Sequence, residues 1–172
     1  MEEPKIIINT IMSKEDYRKF LYIATFKRNK FIIPMLSLIA LLGSMIISLD
    51  GHFSLTKLII NWILFFAFTI VVILFKIERK NAQRIKTDKT GTFNSVNTLK
   101  FYDDRIVMEN EALKSKSELK YSQFFALMES KEYFIFYFTV NQASLIRKKD
   151  IDNLDAFKKF IVEKFKDKYK KI

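Results

Sequence analysis

Two stretches of the chain, Phe31 to Leu49 and Leu58 to Phe75, run for 19 and 18 positions without a charge. Helical residues rise about 1.5 Å each, so either run reaches roughly 28 Å, close to the hydrocarbon thickness of a bilayer. Such runs are rare in soluble domains, whose long helices show a polar face. They predict two transmembrane helices, over about 31–49 and 58–75. The linker Asp50–Lys57 is short and begins with Asp50-Gly51, a turn signal, so the pair is expected to form a helical hairpin. Pro34 falls near the start of the first helix, where a missing N–H costs little. Upstream, Lys5 to Asn9 reads as a short strand, and Ser13 to Asp16 as a capping box that starts a helix. Tyr17, Phe20, Leu21 and Ala24 follow at helical spacing, and this helix is expected to run to about Lys30. Its apolar stripe faces either the bilayer or the soluble part, and the pattern does not choose.

Behind the second run, a polar connector from Glu78 to Thr90 leads to Gly91, and the period changes to two. Strands are expected at Phe93–Tyr102, Arg105–Glu109, Lys114–Lys120, Phe124–Glu129, Tyr133–Phe138 and Gln142–Ile146, separated by Asp, Asn and Ser turn signals. The lysines of Lys114–Lys120 suit an edge strand that must resist pairing. Tyr133–Phe138 is apolar on both faces, which suits a central strand covered twice, or one with a face resting on something outside the domain. Asp152 is expected to cap a last helix, in which Leu154, Phe157, Phe160, Ile161 and Phe165 form one stripe that covers the β-core. The expected organisation is an N-terminal strand and amphipathic helix (1–30), a transmembrane hairpin (31–76), a connector (77–90) and a β-domain with a C-terminal helix (91–172). The fold class is an α+β membrane protein.

Charge sets the topology. The 172 residues carry 30 Lys+Arg against 19 Asp+Glu, a net +11, and seven of those eleven charges flank the apolar runs. Lys27, Arg28 and Lys30 precede the first run, Lys76, Arg79, Lys80, Arg84 and Lys86 follow the second, and the linker holds only Lys57. Positive charge is retained on the cytoplasmic side, so both termini are expected there, in a two-span protein of the cell membrane. No small-residue cleavage site follows the first run, which is expected to be a retained span. Trp62 is expected to anchor the second span at the outer interface, and Gly43-Ser44 offers a small surface for close approach of other spans in an assembly, against the plainer reading of a lipid-facing pair. The β-region is nearly neutral, whereas a nucleic-acid binder concentrates charge on its reading surface, so no nucleic-acid partner is expected.

The residue inventory narrows the chemistry. Three glycines, Gly43, Gly51 and Gly91, are too scattered for a phosphate-cradling loop. The absence of cysteine removes thiol chemistry and Cys-based zinc sites. One histidine, His52 in the linker, supports no catalytic triad. No enzyme, cofactor or metal is expected. The three consecutive bases Arg147, Lys148 and Lys149, at a strand-to-helix junction in an otherwise neutral region, are the candidate contact for anionic lipid headgroups or a partner protein, against the plainer reading of a solvated loop.

An N-terminal strand, the helix begun by Ser13 to Tyr17, a two-span hairpin, and then segments 99–110, 119–138 and 143–151 before a final helix together resemble the YcxB-like bacterial membrane proteins. The residues that carry the resemblance are diffuse: Tyr121-Ser122 where the pattern prefers Trp-Ser, Glu132-Tyr133-Phe134 in a hairpin, and the basic stretch before the last helix, which has Arg147 where proline is common. The resemblance implies a cytoplasmic barrel of the bacterial pleckstrin-homology (PH) type, with a capping helix and no catalytic residues. The expected function is a membrane-anchored, non-enzymatic module that binds a partner protein or inner-leaflet headgroups. The alternative is an immunity protein acting at the membrane against a bacteriocin or other membrane-active toxin.

Overall fold

The computed structural model describes residues 3–49, 53–89 and 91–172; the expected Asp50-Gly51 turn and His52 lie outside them. In chain order the elements are β1 (Ile6–Ile11), α1 (Lys14–Tyr22), a π-helical turn (Ile23–Lys27), α2 (Ile32–Ser48), α3 (Leu55–Thr87), β2 (Val96–Phe101), β3 (Arg105–Asn110), β4 (Ser115–Lys120), β5 (Ala126–Glu129), β6 (Tyr133–Tyr137), β7 (Ala143–Arg147), α4 (Leu154–Phe165) and β8 (Tyr169–Lys171). The architecture is mixed α+β with two sheets. The chain divides into two units, Met1–Asp16 with Asp88–Ile172, and Tyr17–Thr87.

The first unit holds every strand among the described residues. One sheet has the order β1-β2-β3-β4 and the other β7-β6-β5-β8. In space, residues 3–16 group with the β-region rather than with the helices. β1 pairs antiparallel with β2, from Ile6 opposite Phe101 to Ile11 opposite Val96, so the helical segment is inserted between neighbouring strands of one sheet. β4 is the outer strand of its sheet and carries exposed Lys116 and Lys120, the edge position its lysines suit. β6 is central between β5 and β7, and all five of its residues are buried.

The apolar stripe of α4 fills the core. Phe157, Ile161 and Phe165 are buried with Leu99, Phe101 and Ile106 of the first sheet and Leu127, Phe134, Phe136 and Ile146 of the second, while Leu154 and Phe160 pack against that cluster. Phe157 touches both sheets edge-on, its ring 5.1 Å from Phe101 and 5.2 Å from Phe134. Capping differs from expectation by one residue. Asn153, not Asp152, is the N-cap, and its side chain accepts from the Ala156 amide at 3.0 Å. Asn153→Ala is expected to cost about 1 kcal/mol, read as a lower urea midpoint for the full-length protein; an unchanged midpoint would remove the cap from the account. One strand, β8, has no counterpart in the expected elements: after α4 the chain turns through Lys166, at φ +46°, and adds three residues parallel to β5.

The second unit is helical. Ser13 caps α1 by accepting from the Asp16 amide at 3.0 Å, and Asp16 accepts in return from the Ser13 amide at 2.9 Å, the reciprocal box expected from the sequence. The helix does not continue smoothly to Lys30. It ends at Tyr22, passes through the π-helical turn and meets α2 at 64°. α3 is 33 residues long, so the polar connector beginning at Glu78 is itself helical as far as Thr87. α3 is long and apolar enough to cross a membrane, and the bent pair that ends in α2 qualifies if taken as one span.

Candidate functional site

The basic triplet sits where β7 runs into a short 3-10 turn, and the fold treats its three members differently. Arg147 forms a forked ion pair with Asp150, Nε to Oδ2 at 2.7 Å and Nη2 to Oδ1 at 2.8 Å. Its Nη1 lies 3.7 Å from Oδ2 of Asp16, and only 14% of its side chain is exposed. The Thr10 hydroxyl of β1 donates to Asp150 Oδ2 at 2.5 Å. Asp16 Oδ1 accepts from the Tyr133 hydroxyl at 2.8 Å, and Oδ2 from the Ser13 hydroxyl at 2.7 Å. Burial raises the Asp16 pKa, but its bonds to Ser13 and Tyr133 and the Arg147 charge outweigh this and hold it below the usual range. The same burial and the neighbouring Asp16 push the Tyr133 hydroxyl upward. This cluster ties the start of α1, β1, β6 and the β7 turn together.

Lys148 belongs to a second cluster. Its Nζ donates to Oε1 of Glu129 at 2.5 Å and lies 5.1 Å from the centroid of the Phe134 ring. Lys158 of α4 reaches Oε2 of the same carboxylate at 3.0 Å, and the Tyr169 hydroxyl of β8 donates to it as well. Glu129 is 3% exposed. Burial alone would raise its pKa, but the bonds from Lys148, Tyr169 and Lys158 overcome that and bring it down to about 2. Burial and the adjacent Glu129 push Tyr169 up to about 12. The carboxylate thus joins β5, β7, α4 and β8. Sequence reasoning missed this centre, although the signal was present: an acid closing an apolar strand needs cationic or hydrogen-bonding partners if it is buried.

Lys149 is exposed and makes no hydrogen bond or ion pair among the described residues. Of the triplet, it alone presents its charge to solvent. The cations flanking the apolar runs are placed differently. Lys27 and Lys30 are exposed beside the start of α2, Arg28 is half-buried, and Lys76, Arg79, Lys80, Arg84 and Lys86 are exposed along α3.

The helical hairpin is joined by polar groups within its apolar stretch. The Ser44 hydroxyl donates to the Leu58 carbonyl at 2.6 Å, and the Trp62 indole N–H to the Ser37 carbonyl at 3.1 Å. Gly43 faces the Phe65 ring, where an added Cβ would lie 3.8 Å from it. That distance is ordinary van der Waals contact, so the packing does not require glycine there; Ser44 and Trp62 are bonded across the hairpin. The outer faces are apolar and open: Leu38, Ile46, Leu64 and Phe68 are 55%, 72%, 61% and 67% exposed.

No curated protein and no solved structure matches the chain. A family model described as YcxB-like protein matches residues 101–161, from the end of β2 through Glu129, the basic triplet and Phe157 into α4, so the YcxB-like resemblance read from the sequence is shown over that segment.

Proposed function

We propose that this chain is a membrane-anchored, non-enzymatic module of the bacterial cell membrane. α2 and the apolar part of α3 cross the bilayer as a two-span hairpin, both termini are cytoplasmic, and the β-unit is a PH-like domain that binds a partner protein or inner-leaflet headgroups. The observation that carries the reading is the exposed apolar surface of the hairpin: Ile46, Leu64 and Phe68 stand open to the surroundings, and the apolar window of α3 is 0% buried. A monomer in water rarely exposes an apolar patch of that extent, whereas lipid satisfies it. Orientation follows from the basic residues beyond both outer ends of the hairpin. The PH-like reading is supported by a four-stranded meander, a three-stranded meander and a helix whose stripe enters the core.

The natural absence of cysteine makes the test direct. With Phe53→Cys and Lys149→Cys expressed singly, an impermeant maleimide applied to intact cells is expected to label position 53 and to reach position 149 only after permeabilisation. The protein is expected to stay in the membrane pellet in alkaline carbonate. Release by carbonate would end the anchoring reading, and labelling of position 149 in intact cells would reverse the topology.

A further inference from the structure

Three features of the helical unit meet at the entrance to α2. The first is direction. Lys14–Lys27 and Ile32–Ser48 join at 64°, so the approach to α2 does not continue its axis. Sharp kinks have identifiable causes, and this one follows the π-helical turn Ile23–Lys27 and the break before Ile32.

The second feature is level. The Arg18 guanidinium bonds to both oxygens of Glu78, Nε lying 2.8 and 3.1 Å away, and the Tyr22 hydroxyl donates to the same carboxylate at 2.6 Å. Glu78 is the third residue after Phe75, where the apolar run ends, about 4.5 Å further along the helix. The clamp therefore holds α1 beside the point where α3 turns from apolar to polar.

The third feature is charge. Lys27, Lys30, Lys76, Arg79 and Lys80 are exposed and make no ion pair among the described residues, and Phe31, which follows Lys30 at the start of α2, is 75% exposed. Uncompensated cations around an exposed aromatic complement a surface of lipid phosphates above acyl chains. Lysine supplies compact point charges, and arginine a fork matched to phosphate oxygens.

We propose that residues 17–31 lie in the plane of the membrane surface as an interfacial segment, and that Lys27, Lys30, Lys76, Arg79 and Lys80 select anionic phospholipid headgroups around the hairpin. This rests on the anchoring reading above and adds to it a second contact with a lipid preference. A segment that bends away from the span axis at the apolar–polar boundary lies along the bilayer surface, and its lysines share that level with the first polar turn of α3. Each Lys or Arg near an anionic surface contributes about a fivefold gain in association, so the rim discriminates strongly between anionic and zwitterionic lipid.

The full-length protein, with Trp62→Phe removing its only tryptophan, is reconstituted into vesicles of equal phosphatidylglycerol and phosphatidylcholine. One lipid at a time carries bromine near the top of its acyl chains. Phe26→Trp is expected to be quenched, and about twice as strongly by brominated phosphatidylglycerol. Lys27→Gln with Lys30→Gln is expected to narrow that difference while leaving total quenching in place. Phe68→Trp in the same background reports the span itself. Quenching at position 68 but none at 26 overturns the interfacial segment and leaves the anchor standing. Equal quenching by both lipids at 26 overturns the headgroup selection. Loss of quenching at 68 removes the anchor on which the inference rests.

Discussion

Glutamine in place of Glu129 is expected to cost about 3 kcal/mol at neutral pH, near the lower end for breaking a buried ion pair by removing one partner. The carboxylate is 3% exposed and receives Lys148, Lys158 and Tyr169. A neutral amide of the same shape leaves Lys148, whose side chain is 18% exposed, without its counter-charge. The pH dependence has a definite sign. The carboxyl lies at about 2 in the folded chain against an ordinary 4.5, so the folded state favours the ionised form. That stabilisation is fully present above about pH 4.5 and is lost as pH falls towards 2. Urea unfolding of the full-length protein in micelles, followed by aromatic circular dichroism, is expected to show a stability falling through that interval. In Glu129→Gln the curve starts lower and the fall is shallower. It does not vanish, because Asp16 is also held below its usual range and loses its bonds in the same acid limb. A variant with the wild-type midpoint and the wild-type acid limb would show that the Glu129 cluster does not hold β8 and α4 to the sheet.

What the sequence made legible was local. The stripe of α4, the doubly apolar β6, the edge character of β4 and the capping box at Ser13 each depend on neighbours within a few residues, and periodicity reports those directly. What it left out depends on distant partners. β1 joins the sheet by pairing Ile11 with Val96 across the whole helical insertion. β8 is three residues, two of them lysine, and no pattern marks it as a strand. It is held by Tyr169 on Glu129 and by Lys168 Nζ donating to the carbonyls of Ser122 and Phe124 at 2.6 and 2.8 Å. The break before α2 had one sign, Pro34 in its first turn, which has no N–H for the Lys30 carbonyl and whose ring clashes with it, so a helix cannot run unbroken through residue 30. The basic triplet was the hardest to read. Consecutive charges look like one patch in a sequence, but β7 ends there, and alternate residues of a strand point to opposite faces. Asp150, three residues beyond Arg147, was the one nearby sign that the triplet carries its own counter-charge.

Arg147→Ala and Lys149→Ala are therefore expected to part company. Removing the Arg147 guanidinium leaves Asp150 and Asp16, both with side chains 12% exposed, facing one another across β1 and the β7 turn without their shared cation. The expected loss is about 3–5 kcal/mol, the range for an orphaned buried charge. Lys149 is exposed and unpaired among the described residues, so its loss is expected to change stability by less than about 0.5 kcal/mol. The contrast bears on function as well as folding. A triple alanine variant of residues 147–149 would lose binding to any partner simply because the β-unit loosens, and it would tell nothing about a contact surface. Lys149→Ala keeps the fold and removes the charge that faces outward. If headgroups or a protein partner use this corner, Lys149→Ala lowers association with phosphatidylglycerol vesicles or the crosslinked partner at unchanged urea midpoint, whereas Arg147→Ala lowers both together. Equal stability of the two variants would show that the Arg147–Asp150 fork does not form. Undiminished association in Lys149→Ala would place the contact elsewhere on the β-unit.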